Sequence, residues 1–312
     1  MEDTFSFSGH QSFPFRNSWL TKGVVSCHRD PAIFSRDDAI VTLGVGKNMV
    51  QSIRHWCLAM ALLEEDPEIK NNRGRRLRPT ELGLKLFLTD GGWDPYLEDI
   101  GTLWLLHWLL ATNSQKATTW YFAFNALHQP EFTRSSLEQA IALRYQGLPS
   151  VRFTQDTLRR DVDVFVRTYV GGTGTAQQSQ EDSLDCPLAE LRLLLYQPAY
   201  GVYAFARGPK DTLPDAVLLY ALWDYARKHS EQRTFTFDQL EYAPQSPGRV
   251  FKLDESALGE RLDRIASLTD GAWQFSETIG LKQLLITGDF YAPARLADYY
   301  TGTSVALHGA KR

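Results

Sequence analysis

Two polar residues near the N-terminus are the best candidates in this sequence for acid–base chemistry on a phosphate. His10 and Arg16 lie within residues 8–19, a segment that also contains serine, glutamine and asparagine. Histidine titrates near neutral pH and can act as a general acid or base, while a guanidinium can stabilise a pentavalent phosphate. The sequence therefore predicts His10 and Arg16 as catalytic residues for phosphodiester cleavage. The alternative is that both side chains hold the N-terminal segment on its domain by hydrogen bonds.

Three carboxylates near residue 95 form the candidate metal site. Asp94, Glu98 and Asp99 are close in sequence, and Mg²⁺ prefers a few carboxylate oxygens together with water. The sequence therefore predicts Mg²⁺ or another divalent metal at this position. The competing role is local, because Asp94 can cap a helix that has Pro95 at its first position, and acidic side chains suit the positive end of that helix. No zinc, serine-hydrolase or cysteine–histidine motif occurs in the chain.

A helix with two different faces is predicted from residue 47, after a turn that contains Gly44 and Gly46. Its apolar residues recur at the i, i+3, i+4 spacing of a buried helix face. The other face carries Lys47, Asn48, Gln51 and Arg54. A hairpin after an acidic stretch carries Arg73, Arg75, Arg76 and Arg78. This order is typical of a winged helix-turn-helix, in which the second helix lies in the DNA major groove and the wing contacts phosphate. We interpret these side chains as a DNA-binding surface.

The two glycines do not form a nucleotide-binding motif. The P-loop spacing is absent, and Met49 stands where the dinucleotide-binding motif needs its third glycine. A tight turn between two helices explains Gly44 and Gly46 more simply. Ser35 is predicted to open a capping box before the first of these helices.

Two further sites for phosphate contact are predicted along the chain. A second helix pair follows, and its second helix leaves Gln155, Arg159 and Arg160 exposed. A polar-faced helix is common on any surface, but a second helix pair in one chain favours DNA. Arg249 and Lys252 lie beside a glycine and could bind a phosphate. The alternative for this last pair is a solvated turn that enters a helix.

Composition excludes several classes of protein. The chain has 312 residues, of which 43% are hydrophobic and 22% charged, as in globular and unlike disordered proteins. The net charge of −4 argues against indiscriminate polyanion binding, so DNA contact must come from local basic patches. The three cysteines lack CxxC spacing, which argues against a disulfide framework or a zinc ribbon. With neither a signal peptide nor a bilayer-spanning stretch, the sequence predicts a cytoplasmic protein without membrane contact.

Three parts are predicted, without an internal repeat of fixed period. Residues 1–113 form a winged-helix domain, and residues 114–182 form a second helix-turn-helix-like module that ends in a glycine-rich linker at 171–180. Residues 183–312 form a mixed α/β domain, in which residues 200–205 alternate like a strand. The expected fold class is α+β and helix-rich, with tandem winged helix-turn-helix-like modules before the mixed α/β domain.

These motifs together resemble a bacterial family of uncharacterised domains. The similarity is carried by residues 8–16, 43–56, 94–104 and 246–253, and so covers nearly the whole chain. The glycine–lysine–asparagine sequence at 46–48 is its most specific part. His55 departs from the family pattern, which has tyrosine before the tryptophan, and leaves the helix intact.

The resemblance implies a role in DNA phosphorothioation and related anti-phage systems. Family members are encoded beside phosphoadenosine-phosphosulfate-reductase-like enzymes, and the SspB type is described as a DNA-nicking component that opens a strand for sulfur incorporation. The implied partners are double-stranded DNA, a cysteine desulfurase and a sulfur-transferring ATP-dependent enzyme. Self-association as a homodimer is a further expectation. No catalytic residue is carried over. Two alternatives remain: a winged-helix transcriptional regulator of the same gene cluster, and a non-catalytic adaptor that presents DNA to the modification enzymes.

Overall fold

The fold is a helix-rich mixture of α-helices and small antiparallel sheets, in agreement with the predicted α+β class. The computed structural model describes residues 5–148, 153–171, 186–278 and 280–302. The chain divides into two compact units, Met1–Arg207 and Gly208–Arg312. No helix in these described ranges is both long and apolar enough to cross a membrane.

The first unit begins with helices and ends in a small sheet. Its helices are α1 Asn17–Arg29, α2 Ala39–Leu43, α3 Lys47–Ala59, α4 Glu81–Phe87, α5 Ile100–Ala111, α6 Thr118–Asn125, α7 Arg134–Tyr145 and α8 Gln155–Tyr169. Its strands are β1 Leu63–Glu65, β2 Leu77–Pro79, β3 Glu131–Phe132, β4 Leu194–Gln197 and β5 Val202–Phe205. Most of α5 is buried, as its nearly all-apolar sequence predicts.

The helices α2 and α3 are joined by the predicted tight turn. Gly44 ends α2 with a φ of 63°, a left-handed conformation that glycine adopts without a Cβ penalty. The apolar face of α3, which includes Ile53 and Trp56, is fully buried, and α1 packs against it. Strands β1 and β2 then pair as an antiparallel hairpin. The order of elements is therefore helix, helix, turn, helix and hairpin.

The capping box predicted at Ser35 is wrong. The helix α2 begins at Ala39, and its N-cap residue, Asp38, makes no side-chain capping bond. The Ser35 hydroxyl instead donates to the carbonyl oxygen of Arg75 at 2.9 Å. A tertiary contact to the β1–β2 turn has therefore replaced the local bond that the sequence pattern favoured.

The strand predicted at residues 200–205 is β5, and it belongs to the first unit. It lies between β4 and the short strand β3, with Phe132 opposite Tyr203. This pairing joins residues on both sides of the boundary predicted at 182, so the compact unit ends at Arg207 instead. The first two predicted parts likewise form one unit. The predicted linker at 171–180 lies outside the described residues except for Gly171.

The second unit has the mixed α and β character expected for the C-terminal part. Its helices are α9 Asp215–Lys228, α10 Phe237–Tyr242, α11 Pro247–Phe251, α12 Glu255–Leu262, α13 Ile265–Leu268 and α14 Ala292–Thr301. Its strands are β6 Thr234–Thr236, β7 Trp273–Thr278 and β8 Leu281–Ile286. The sheet order β6-β8-β7 repeats the order β3-β5-β4 of the first unit. In both units a strand is followed by helices and then by a hairpin whose second strand pairs with the first.

A buried aspartate anchors the N-terminal segment to the first unit. The Oδ1 atom of Asp161 on α8 lies 2.6 Å from His10 Nε2 and accepts the Ser8 backbone N–H at 2.7 Å. Its other oxygen accepts the Thr119 hydroxyl of α6. Burial alone would raise the pKa of the Asp161 carboxyl, but the interaction with His10 and the hydrogen bonds from Thr119 and Ser8 hold that pKa below its usual range.

Hydrogen bonds at both ring nitrogens orient His10. The Ser12 backbone N–H donates to His10 Nδ1 at 3.1 Å. The Nε2 atom bonds to the Asp161 carboxylate. The ring is therefore held between the backbone of its own loop and α8.

Further bonds fix the same loop between α3 and α8. The Ser52 hydroxyl donates to the His10 carbonyl at 3.0 Å, and Trp56 Nε1 donates to the Phe13 carbonyl at 3.0 Å. From α8, Arg167 donates to the Ser12 carbonyl at 2.8 Å. Because these carbonyls are bonded, the loop can be buried without losing its backbone hydrogen bonds.

His55 on α3 packs against this anchored loop. Its ring centroid is 5.7 Å from that of His10, and a Cβ on Gly9 would come within 2.2 Å of its Nδ1 atom. Its Nε2 atom is buried and has no hydrogen-bond partner in the described part of the chain. Burial, followed by the nearby His10, lowers the pKa of His55 to about 3.

We expect Asp161→Ala to lower the free energy of unfolding by about 3–5 kcal/mol, because the buried carboxylate serves three donors, two in the N-terminal loop and one on α6. Urea unfolding followed by circular dichroism measures this change. The matched control is Asp163→Ala on the same helix, where the carboxylate is 43% exposed and pairs with Arg167. An exposed pair contributes about 0–1 kcal/mol. Equal losses in the two variants would contradict the anchoring role of Asp161.

A second prediction concerns pH. The folded pKa of His55 is about 3 and that of an unfolded histidine is about 6.5, so the unfolded chain binds more protons between these values. The stability that depends on neutral His55 is therefore present above about pH 6.5 and is lost as the pH falls toward 3. We expect His55→Gln to lose less stability than the wild type over this interval in urea titrations. Parallel pH profiles for the two proteins would show that His55 does not titrate in this way.

Candidate nucleic-acid interface

The N-terminal half of α3 is open to solvent and polar. Lys47, Asn48 and Gln51 are exposed, and their side chains form no hydrogen bond or ion pair in the described part of the chain. The preceding Gly44 and Gly46 have no atom within 4 Å of an added Cβ. The first turn of α3 contains no acidic residue, so the positive end of its helix dipole is not neutralised locally. This end of α3 can therefore receive an anion.

Arg54 was expected on the exposed face of α3, but its position differs from that prediction. The side chain is partly buried, and Nη2 donates to the Gly74 carbonyl at 3.1 Å. Burial lowers the pKa of Arg54, and the charge of Glu65 opposes this shift. The bond to Gly74 thus fixes the β1–β2 turn against α3. As a further consequence, a guanidinium that is bonded at this depth is less available to reach a base edge.

The β1–β2 turn is braced from within by an asparagine. Asn72 Nδ2 donates to the Arg76 carbonyl at 2.6 Å, and its Oδ1 accepts the Arg76 backbone N–H at 2.8 Å. The side chains of Arg73, Arg75 and Arg76 remain exposed. These three guanidinium groups make no ion pair or side-chain hydrogen bond within the described residues. The turn therefore presents three exposed guanidinium groups that are free to contact an anion.

Arg78, the fourth predicted wing arginine, is partly neutralised. Its Nε lies 2.7 Å from Glu64 Oε1 on the opposite strand, and both side chains are about half exposed. The register explains this pair, because Arg78 is directly opposite Glu64 in the hairpin.

The cations predicted on α8 are exposed but partly engaged. Arg159 Nη1 lies 3.4 Å from an Asp156 carboxylate oxygen, and Arg160 Nε donates to the Asp156 carbonyl at 3.2 Å. Gln155 is exposed without a side-chain partner among the described residues. The local acidic residue reduces the positive potential at this helix relative to the β1–β2 turn.

Arg249 and Lys252 lie on and directly after the short helix α11. Arg249 Nη1 donates to the Tyr242 carbonyl at 3.1 Å, and Lys252 has a φ of 57° at the helix C-cap. Asp254 then caps α12, as the sequence predicts. This geometry matches the alternative of a turn that enters a helix, and the phosphate contact stays a prediction.

His10 is too deeply buried to touch a phosphate in this conformation. Its side chain is 1% exposed, whereas general acid or base catalysis requires hydrogen-bond contact with the reacting group. Arg16 lies at the N-cap position of α1, with its guanidinium 5.6 Å from the Trp19 ring centroid. These positions favour the anchoring alternative, and the catalytic role of both residues stays a prediction.

Two of the three carboxylates predicted to hold a metal accept backbone N–H groups. Asp94 is buried, and its two oxygens accept the backbone N–H groups of Glu98 and Asp99 at 2.8 and 3.1 Å. Asp99 caps α5 through Gly101, so the helix begins at Ile100 and not at Pro95 as predicted. Within the described ranges, no three histidine, cysteine or acidic side chains lie close enough to hold a metal. The magnesium site therefore stays a prediction.

Asp161, the residue that organises the N-terminal loop, was not among the predicted functional residues. The sequence does contain a signal for its burial, because Asp161 lies three positions after Leu158 and four before Phe165, within the apolar stripe of α8. A carboxylate on a buried helix face requires partners in the folded protein. The identity of those partners, 42 to 153 residues distant, was not readable from spacing.

Comparison with solved structures places this fold beside that of SspB. A magnesium ion-bound SspB crystal structure has a TM-score of 0.84 and 30% sequence identity, covering 98% of this chain and 91% of that chain. A second SspB crystal structure has a TM-score of 0.83 and 31% identity, covering 97% and 90%. No curated protein sequence matches this chain significantly.

The similarity to SspB extends over both units, as the coverage requires. A family model described as a protein of unknown function, DUF4007, matches residues 7–300. This chain therefore belongs to the DUF4007 family and is similar in fold and sequence to SspB.

Proposed function

We propose that this protein binds double-stranded DNA through the exposed end of α3 and the β1–β2 turn. This α3–wing surface consists of Lys47, Asn48, Gln51, Arg73, Arg75 and Arg76. The observation that carries the proposal is the set of three exposed arginines in the turn, whose guanidinium groups form no ion pair with a carboxylate within the described residues. Phosphate contacts of this kind supply most non-specific affinity for DNA.

The arrangement of α1, α2, α3 and the hairpin supports a winged-helix interpretation of this region. In that mode α3 enters the major groove with its N-terminal residues against base edges, and the β1–β2 turn contacts the backbone. Asn48 and Gln51 have the amide groups that pair with adenine, while Lys47 suits guanine or phosphate. The Arg54–Gly74 bond then positions the wing relative to the reading helix.

The biological setting follows from the similarity to SspB. We propose a component of a DNA phosphorothioation system that nicks DNA or presents it to the sulfur-inserting enzymes. The similar structure with bound magnesium makes Mg²⁺ the first metal to test. The carboxylates of Asp94 and Asp99 would have to release backbone N–H groups to serve as its ligands. A regulator would bind DNA without cutting it, and an adaptor would also bind the modification enzymes.

We expect Arg75→Ala/Arg76→Ala to weaken binding to all duplexes and to reduce the slope of log K against log salt by roughly two, about one for each lost phosphate contact. Fluorescence anisotropy at several salt concentrations measures both quantities. Random and specific sequences should lose affinity equally, because phosphate contacts carry no sequence information.

The matched control is Arg264→Ala/Arg295→Ala in the second unit, which removes the same total charge from residues paired with Asp215 and Asp270. This variant should keep the wild-type slope. If the wing variant also keeps it, the β1–β2 turn does not contact DNA.

A second prediction addresses nicking. We expect the purified wild type to convert supercoiled plasmid to the relaxed form in the presence of Mg²⁺, and to lose this activity in chelator. The Arg75→Ala/Arg76→Ala variant should relax plasmid more slowly, because less DNA is bound at the same protein concentration. DNA binding without relaxation would instead support the regulator or the adaptor, and a pull-down of the cysteine desulfurase would then identify the adaptor.

A further inference from the structure

The N-terminal segment, α7 and the start of α8 enclose a half-open cavity of about 830 Å³. Its size lies within the range of about 300–1,000 Å³ that is usual for small-molecule and cofactor sites. None of the predicted catalytic or metal-binding residues lines it. The lining instead combines aromatic with polar side chains, which restricts the chemistry that it can receive.

Three aromatic side chains form the apolar part of the cavity. The Phe7 ring lies 6.0 Å from Tyr145 and 5.1 Å from Phe153, measured between ring centroids. Tyr145 is buried, while both phenylalanines are partly exposed toward the cavity. Aromatic rings of this kind can stack on the face of a planar heterocycle such as a nucleobase.

The polar part of the cavity consists of side chains that carry amide and carboxylate groups. Glu138, Gln139, Gln146 and Gln155 line it, and their side chains have no hydrogen bond or ion pair in the described part of the chain. A glutamine amide supplies a donor and an acceptor side by side, and a carboxylate accepts from ring N–H or exocyclic amino groups. This combination complements the edge of a nucleobase.

The cavity also borders the polar face of α8. Gln155 belongs both to the cavity lining and to the first turn of that helix. Arg159 and Arg160 are exposed on the following turn but are not among the residues that line the cavity. The lining therefore matches the base of a nucleotide, through stacking and amide contacts.

We propose that this cavity binds a single unpaired nucleobase, supplied either by a nucleotide extruded from DNA or by a free mononucleotide. The extruded source rests on the proposed function, since the DNA must be held by the α3–wing surface or by α8. Extrusion costs least where a base is already unpaired. A duplex with a single-nucleotide bulge therefore reports on the site more directly than a matched duplex.

The test compares the affinity of the full-length protein for a bulged and a matched duplex of the same sequence. We expect the wild type to prefer the bulged duplex by about tenfold, which corresponds to about 1.4 kcal/mol. Ala142→Phe places a ring in the cavity from α7 and should abolish this preference while matched-duplex affinity is kept. The neighbouring control, Leu143→Phe, adds its ring at a position that is 86% exposed and outside the lining, so the preference should persist.

A second variant, Gln139→Ala/Gln146→Ala, removes two exposed amides without taking away any hydrogen bond within the described structure. It should reduce the preference even if Ala142→Phe proves unstable in a thermal melt. Calorimetric titration with the four deoxynucleoside monophosphates separates the two sources. Mononucleotide binding without a bulge preference supports the cavity with a free nucleotide as its ligand.

The proposal is overturned if the wild type shows neither a bulge preference nor mononucleotide binding, or if both persist unchanged in the two cavity variants. Loss of all duplex binding in the wild type would instead overturn the proposed function. The mononucleotide titration still decides the cavity in that case, so the two proposals fail by different measurements.

Discussion

The first unit depends on the burial of one carboxylate. Asp161 is 2% exposed, and a buried charge of this kind is tolerated only when donors surround it. His10, Ser8 and Thr119 supply these donors from the N-terminal loop and from α6. The loop in turn accepts hydrogen bonds from α3 through Ser52. Three helices that are distant in sequence are thus held around one loop, which explains why the predicted first and second domains form one compact unit.

This anchor also determines where the candidate DNA-binding residues can lie. The face of α3 that contains Ser52 and Trp56 is committed to the loop and the core, so only the opposite face, with Lys47 and Gln51, remains exposed. The Arg54–Gly74 bond then joins α3 to the β1–β2 turn. The candidate contacting side chains lie on a regular helix and on a braced turn, which limits their motion. Less entropy would therefore be lost when DNA is bound.

The repeated strand–helix–hairpin topology does not imply repeated chemistry. Fold and function are separable, because binding depends on the side chains that a surface presents. Within the described residues, Arg73, Arg75 and Arg76 of the β1–β2 turn form no ion pair, whereas the arginines of α8 lie beside Asp156. In the second unit, Glu255 of α12 is paired with Lys282. The proposed DNA contact is therefore expected principally at the first unit, through the turn and the start of α3.

The sequence by itself determined the helix-rich α+β class, the turn at Gly44, the buried α5 and the cap at Asp254, because periodicity, glycine and capping residues act over a few positions. The spacing of arginines in the sequence also predicted the exposed cations of the β1–β2 turn. Only the tertiary structure decided which polar side chains were used internally. His10 and Asp94 are residue types that can act in acid–base catalysis or metal binding. In the folded protein their polar atoms instead form hydrogen bonds with a distant side chain and with the backbone. The pairing of β3 with β5, the common topology of the two sheets and the cavity beside α7 likewise arise from contacts between distant segments, which spacing along the chain does not record.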